Sequence, residues 1–137
     1  MKKILSQSGL FALGGTAYYL IELAWRQSSH WTMFLAGGLC FQTIHNINSK
    51  LRDSKCIWEK CFIGSGVITT VEFAVGCVVN LSLHWDIWDY SRVPLNLMGQ
   101  ICLPFSMMWY LLTIPIILIS DGICHSTTPL RRELLKP

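Results

Sequence analysis

The stretch Cys61-Phe62-Ile63-Gly64-Ser65-Gly66-Val67-Ile68-Thr69-Thr70-Val71-Glu72-Phe73-Ala74-Val75-Gly76-Cys77-Val78-Val79-Asn80-Leu81-Ser82-Leu83 contains a single charged side chain, Glu72. Coiled as a helix rising about 1.5 Å per residue, it is long enough to cross the roughly 30 Å hydrocarbon core of a bilayer. Outward from it lie three more apolar stretches of similar length: Ile4 to Trp25, Trp31 to Asn48 and Leu97 to Ile119. The pattern predicts an all-α membrane protein with four transmembrane helices in two hairpins. Residues 1–137 then form one domain with helices over 4–25, 31–48, 61–83 and 97–119 and a tail over 120–137.

Composition points the same way. The chain is 52% hydrophobic and 14% charged, with a mean hydropathy of +0.42, whereas soluble domains carry about 25% charge. A water-soluble enzyme core is not expected on that ground, and 137 residues leave no room for an ATPase domain beside four spans. The net charge of +3 is too mild to suggest nucleic acid as a partner. Among the six cysteines, Cys40, Cys77 and Cys102 sit inside apolar runs, where a thiol behaves as a small hydrophobe, so no disulfide framework is expected. Met1-Lys2-Lys3 followed by apolar residues resembles a signal peptide, but Gln7 and Ser8 interrupt the run and no small-x-small cleavage site follows. A retained first helix is expected.

Basic residues resist translocation and so set orientation. Lys2, Lys3, Lys50, Arg52, Lys55, Lys60, Arg131, Arg132 and Lys136 fall on one side of the predicted spans, and only Arg26 and Arg92 on the other. This split places both termini and the second link in the cytoplasm. Trp25, Trp31, Trp85 and Trp88 would form an outer aromatic belt, with Trp58 as an inner anchor.

Glu72 lies mid-span, where a charge costs roughly 2.5 to 3.5 kcal/mol on insertion scales, and should face the bundle interior. It is read either as a substrate, ion or proton site or as a protonated group bonded to a neighbouring helix. Gln42, Ser106 and Thr16 reach similar depth and are its candidate partners. Glu22 has Arg26 at i+4, the spacing of an ion pair. Gly14-Gly15, Gly37-Gly38 and Gly64-x-Gly66 would let backbones approach closely. Gly14 precedes Glu22 by the same interval as Gly64 precedes Glu72, a weak internal repeat that also pairs His30-Trp31 with His84-Trp85.

The link His84-Trp85-Asp86-Ile87-Trp88-Asp89-Tyr90-Ser91 brings an imidazole, two carboxylates and three aromatics together. It lacks the fixed spacing of a structural metal site and reads better as an interfacial turn, with Asp89 or Ser91 capping a segment before Pro94. No metal or cofactor is expected. No nucleophile stands beside a base at a telling spacing, and an enzyme is not expected. Gly99, Pro104 and Pro115 would break or kink the fourth span.

Several segments together resemble a known family, the small bacterial integral membrane proteins classed as ABC-transporter permeases of type IV. The resemblance rests on Tyr18 to Arg26, Ser29 to Phe34, Gly37 to Phe41 and Glu72-Phe73-x-x-Gly76-x-x-x-Asn80. Its most specific part is Trp88-Asp89-Tyr90-Ser91-x-x-Pro94-x-Asn96-x-x-Gly99-Gln100-Ile101-Cys102-Leu103-Pro104-Phe105-Ser106. It implies acidic residues of functional weight at Glu22 and Glu72, and a separate ATPase subunit that would dock on the basic second link. The expected function is a permease-like transporter subunit of the bacterial cytoplasmic membrane, assembled as a homo-oligomer because four short spans hardly enclose a pathway alone. The alternative is a non-transporting membrane scaffold or regulatory partner.

Overall fold

In the computed structural model the backbone is described for residues 2–133 and the side chains for residues 7–124. The side chains of Lys2, Lys3, Arg131, Arg132 and Lys136, which carry most of the charge asymmetry at the termini, lie outside the described residues. Four helices dominate: α1 (Lys2–Arg26), α2 (Trp31–Leu51), α3 (Ile57–Gly76) with a π-helical continuation over Cys77–Ser82, and α4 (Leu103–Glu133). Before α4, a short hairpin pairs β1 (Asn96–Leu97) with β2 (Ile101–Cys102), Asn96 opposite Cys102 and Leu97 opposite Ile101.

Each helix boundary has a local cause. Gln27 takes a positive φ of 60° and stops α1. His30 then caps α2 in an extended conformation, its Nδ1 accepting the Thr32 amide at 3.3 Å, which satisfies one of the free donors at a helix start. Between α2 and α3 only residues 52–56 remain. There the Glu59 carboxylate accepts the Cys56 amide at 3.3 Å, and the Lys60 ammonium donates to the Arg52 carbonyl at 3.2 Å. Lys60, expected in a basic link, is therefore a buried residue of α3 that satisfies a carbonyl at the end of α2.

The fourth helix departs from the sequence expectation at both ends. Leu95, Met98 and Gly99 have positive φ values of 57°, 53° and 69°, and this left-handed backbone turns residues 95–102 into a hairpin. The helix starts at Leu103 instead of Leu97. It then runs through Ser120 to Glu133, over positions read as a tail.

Among the described residues two helical stretches, not the four expected, are long and apolar enough to cross a membrane, Ile57–Ser82 and Leu103–Cys124. α1 and α2 are helical as expected but more polar, and their polar groups bond across helices. Gln42 donates to Gln7 at 2.7 Å, and Gln7 and Asn46 exchange hydrogen bonds at 3.0 and 3.3 Å. Glycine lets this pair pack closely. A Cβ on Gly14 would collide with Phe41 and one on Gly37 with Tyr18, while on Gly38 it would come 2.7 Å from the Phe11 carbonyl.

The distribution of polarity is inverted relative to a soluble bundle. Thr113 and Ser120 are fully buried at 0% exposure, with Asn48, Asn80 and Gln100 also inside. Leu20, Trp25, Phe62, Met107, Leu111 and Leu118 are exposed. Ile44, Cys61, Ile68 and Ile117 form one apolar core, and Met33, Val79 and Trp88 a second near the 83–102 loop. Trp88 is thus a core residue, not part of an outer belt: its indole N–H donates to the Gln100 carbonyl at 3.0 Å. Trp25, Trp31 and Trp85 are exposed at that end and Trp58 at the other.

Overpacking by one methyl costs about 1 to 3 kcal/mol where the obstacle cannot move. Gly38→Ala, facing the Phe11 backbone, should lower thermal stability by that amount in detergent. Gly66→Ala, with nothing within 4 Å of the added carbon, should leave the melting temperature unchanged or raise it, since alanine favours helix by about 1 kcal/mol.

Candidate functional site

The 83–102 loop folds into a cap over one end of the bundle. His84 and Asp86 adopt positive φ values of 54° and 47°, bending the chain back as α3 ends. Asn80, presented inward by the π-helical turn, holds this bend. Its amide donates to Gln100 Oε1 at 2.9 Å and its carbonyl accepts the Ile87 amide at 2.8 Å. π-Helical turns of this kind often mark functional positions.

Next in the chain, Asp89 makes an Asx turn, its carboxylate accepting the Ser91 amide and hydroxyl, each at 2.8 Å. These two bonds, the backbone one first, with Arg92 adding a favourable charge, hold the Asp89 carboxyl below the ordinary aspartate range. Asn96 donates to the Val93 carbonyl at 2.8 Å and the Ser91 carbonyl at 3.3 Å, and accepts the Gly99 amide at 3.1 Å. Gly99 sits beside Asp89: a Cβ there would lie 2.8 Å from Asp89 Oδ1. The Gly99 carbonyl accepts the Tyr90 amide at 2.8 Å. The motif therefore closes on itself from Trp88 to Gly99, with Pro94 exposed on the outer turn.

This cap aims Tyr90 at Glu72. The Tyr90 hydroxyl donates to Glu72 Oε1 at 2.9 Å, and the Trp109 indole N–H donates to Oε2 at 2.9 Å. Tyr90 also stacks on Phe105 with ring centroids 4.8 Å apart. The partners expected from depth alone are elsewhere. Gln42 bonds to Gln7, Ser106 accepts from Thr69 at 3.2 Å and, through its carbonyl, from Ser65 at 3.0 Å, and Thr16 is exposed.

Glu22 does pair with Arg26, at 2.8 Å, and also accepts the Ser29 hydroxyl at 3.0 Å. Arg26 donates onward to the Ile87 carbonyl at 2.8 Å, tying the first hairpin to the cap. Both links at this end therefore meet, and His30, Trp31 and Trp85 cluster there with ring centroids 5.4 to 6.1 Å apart.

Between the four helices and the cap lies a cavity of about 270 Å³. Glu22, Arg26 and Glu72 are its charged lining residues; Tyr18, Phe41, Trp88, Tyr90 and Trp109 are its aromatic ones, and the rest is aliphatic or small. The two glutamates, on different hairpins, thus share one space. A second polar cluster was not foreseen. Asn48 donates to Ser120 Oγ at 2.9 Å and Asp121 Oδ1 at 2.8 Å, and His45 Nδ1 lies 2.9 Å from the same Ser120 oxygen. Its only sequence signal was the polar spacing of His45 and Asn48 along α2, and its partners lie beyond the predicted end of the fourth span. Among the described residues no group of three or more His, Cys, Asp or Glu is placed to hold a metal.

Two predictions follow the geometry of the carboxylates. Glu72→Gln keeps an acceptor for Trp109 and should fold, whereas Glu72→Lys sets a cation against two donors at depth. It should cost about 3 kcal/mol or more and reduce the yield of folded protein on size-exclusion chromatography. For Asp89, stability from the Asx turn is present above the ordinary aspartate value and is lost as pH falls through its depressed one. The Ser91 amide resonance should therefore titrate with a midpoint below about 3.9, and the transition should vanish in Asp89→Asn.

No curated protein and no solved structure matches the chain. A family model does, over residues 10–134, from the first hairpin through the cap to the end of α4. That range takes in both glutamates, the cap and the cavity, and the chain belongs to the family described as Putative ABC-transporter type IV.

Proposed function

We propose that this protein is a permease-like subunit of a membrane transporter, with all four helices crossing the bilayer and the central cavity as its ligand site. The observation that carries the reading is the shared cavity: helices from both hairpins converge on one space that Glu22 and Glu72 line. Large apolar side chains exposed on every helix, among them Leu20, Leu39, Phe62 and Leu111, suit contact with lipid, and small and polar residues inside suit helix packing in a membrane. This supports four spans although α1 and α2 fall short in hydropathy. Gln7, Gln42 and Asn46 bond to one another between these two helices.

The basic residues assign the end bearing residues 52–56 and both termini to the cytoplasm of a bacterial cell. Lys50, Arg52 and Lys55 then form the surface on which a separate ATPase subunit docks, and homo-oligomers enlarge the pathway. The chain carries out no covalent chemistry itself. A scaffold reading draws on one observation, a protein donor on each carboxylate oxygen of both glutamates, but a scaffold has no need of the cavity between them.

Purification from the native host in mild detergent, followed by mass spectrometry, tests the proposal. Co-purification of an ATPase is the expected result. A homo-oligomer without a partner, showing gradient-driven uptake lost in Glu72→Gln, would replace it with a secondary carrier. Absence of both partner and uptake would favour the scaffold. Topology has its own measurement: in a cysteine-free background, Ser54→Cys should resist an impermeant thiol reagent in intact cells, and labelling there would invert the assignment.

A further inference from the structure

Three charged residues line the cavity, and their balance is uneven. Arg26 is committed to Glu22 at 2.8 Å and to the Ile87 carbonyl at 2.8 Å, so that pair contributes no net charge. Glu72 belongs to neither of the two described ion pairs, Arg26–Glu22 and Lys55–Glu59. Each of its oxygens accepts one hydrogen bond, from Tyr90 and from Trp109, and a carboxylate has about four acceptor positions. Two dipoles orient the carboxyl group, and half of its acceptor capacity is unspent.

The walls around it have a matching character. Tyr18, Trp88, Tyr90 and Trp109 all line the space, and the Tyr18 and Trp109 rings lie 6.0 Å apart and tilted. Aromatic faces attract a cation by about 0.5 to 2 kcal/mol each, most strongly where water is excluded. The remainder of the lining is apolar, from Met33, Val71 and Leu112 among others, which disfavours a hydrated inorganic ion. The volume, near the lower end of small-molecule pockets at about 300 to 1,000 Å³, admits one ring and a head group.

We propose that this cavity binds a small lipophilic organic cation, its charge held by Glu72 and the aromatic wall and its body by the aliphatic lining. The proposal rests on the reading of the cavity as a ligand site and names the class of ligand. An anion is disfavoured because the cavity's guanidinium is already paired, and a strongly polar solute because little of the lining offers hydrogen bonds.

The test uses the full chain in lipid nanodiscs and two probes of the same shape, benzyltrimethylammonium and its uncharged carbon isostere neopentylbenzene. Intrinsic tryptophan fluorescence reports occupancy beside Trp88 and Trp109, with empty nanodiscs as the baseline for partitioning. The cation is expected to bind saturably and at least 10-fold more tightly than the isostere. Glu72→Gln should abolish that preference, while Glu59→Gln, on the exposed first turn of α3, should retain it. If Glu72→Gln fails to fold, the wild-type comparison of the two probes still decides. Equal affinity for both would overturn the cation assignment and leave the cavity a ligand site for neutral molecules. A preference that survives Glu72→Gln would overturn the assigned residue and with it the proposal. Saturable binding of neither probe would overturn both this inference and the ligand-site reading.

Discussion

Glu72 accepting from Tyr90 and Trp109 is the contact on which the capped half of the bundle depends. The carboxylate belongs to α3, the phenol to the cap and the indole to α4, so two hydrogen bonds join three segments that the chain connects only through a long loop. A carboxylate at membrane depth is costly unless its acceptors are used. Folding the cap is how this chain supplies one of the donors. That explains why the loop is so heavily self-bonded: the Asx turn at Asp89, the Asn96 bonds and the Gly99 carbonyl all fix the peptide that bears Tyr90.

The opposite end of the bundle also joins its helices through polar side chains, Asp121 among them. Asn48, Ser120 and His45 form a buried polar knot between α2 and α4, and Gln7, Gln42 and Asn46 form another between α1 and α2. Such side-chain networks fix which helix faces meet, because any other pairing would leave their donors and acceptors unsatisfied. The glycine contacts between α1 and α2 then set how closely they meet. Polar knots and glycines together leave the middle of the bundle, between the hairpins, less tightly filled, and that is where the cavity lies.

Much of this was legible in the chain because it is local. The Glu22–Arg26 pair follows from i+4 spacing, the short first hairpin from the few residues between two apolar runs, and the Gly14 and Gly37 contacts from small residues in otherwise bulky helices. Three features were not. Residues 97–102 are apolar whether they form a helix or a hairpin, and only the positive φ angles of Met98 and Gly99 distinguish the two. Trp88 reads as an interfacial anchor until its N–H is seen to be taken by Gln100. Depth along straight spans nominated Gln42 and Ser106 for Glu72, but a loop residue can fold back to the same depth, as Tyr90 does, and no spacing rule encodes that return.

The two glutamates show how equal intervals in sequence yield unequal chemistry. Gly14 packs against α2 and Gly64 against α4, each on the partner helix of its own hairpin, and the glutamate that follows each at the same interval faces the common cavity. Up to that point the hairpins agree. They differ because α1 supplies an arginine one turn after Glu22, whereas the corresponding position one turn after Glu72 is Gly76, where a Cβ would meet the side chains of Gln100 and Trp88. A long basic side chain has no room there. Close packing of the cap onto α3 therefore removes the local counter-charge that the first hairpin retains, and the same packing brings in the Tyr90 hydroxyl as its replacement. One carboxyl group ends as half of an ion pair and the other as an acceptor oriented by two neutral donors, and both face the same cavity.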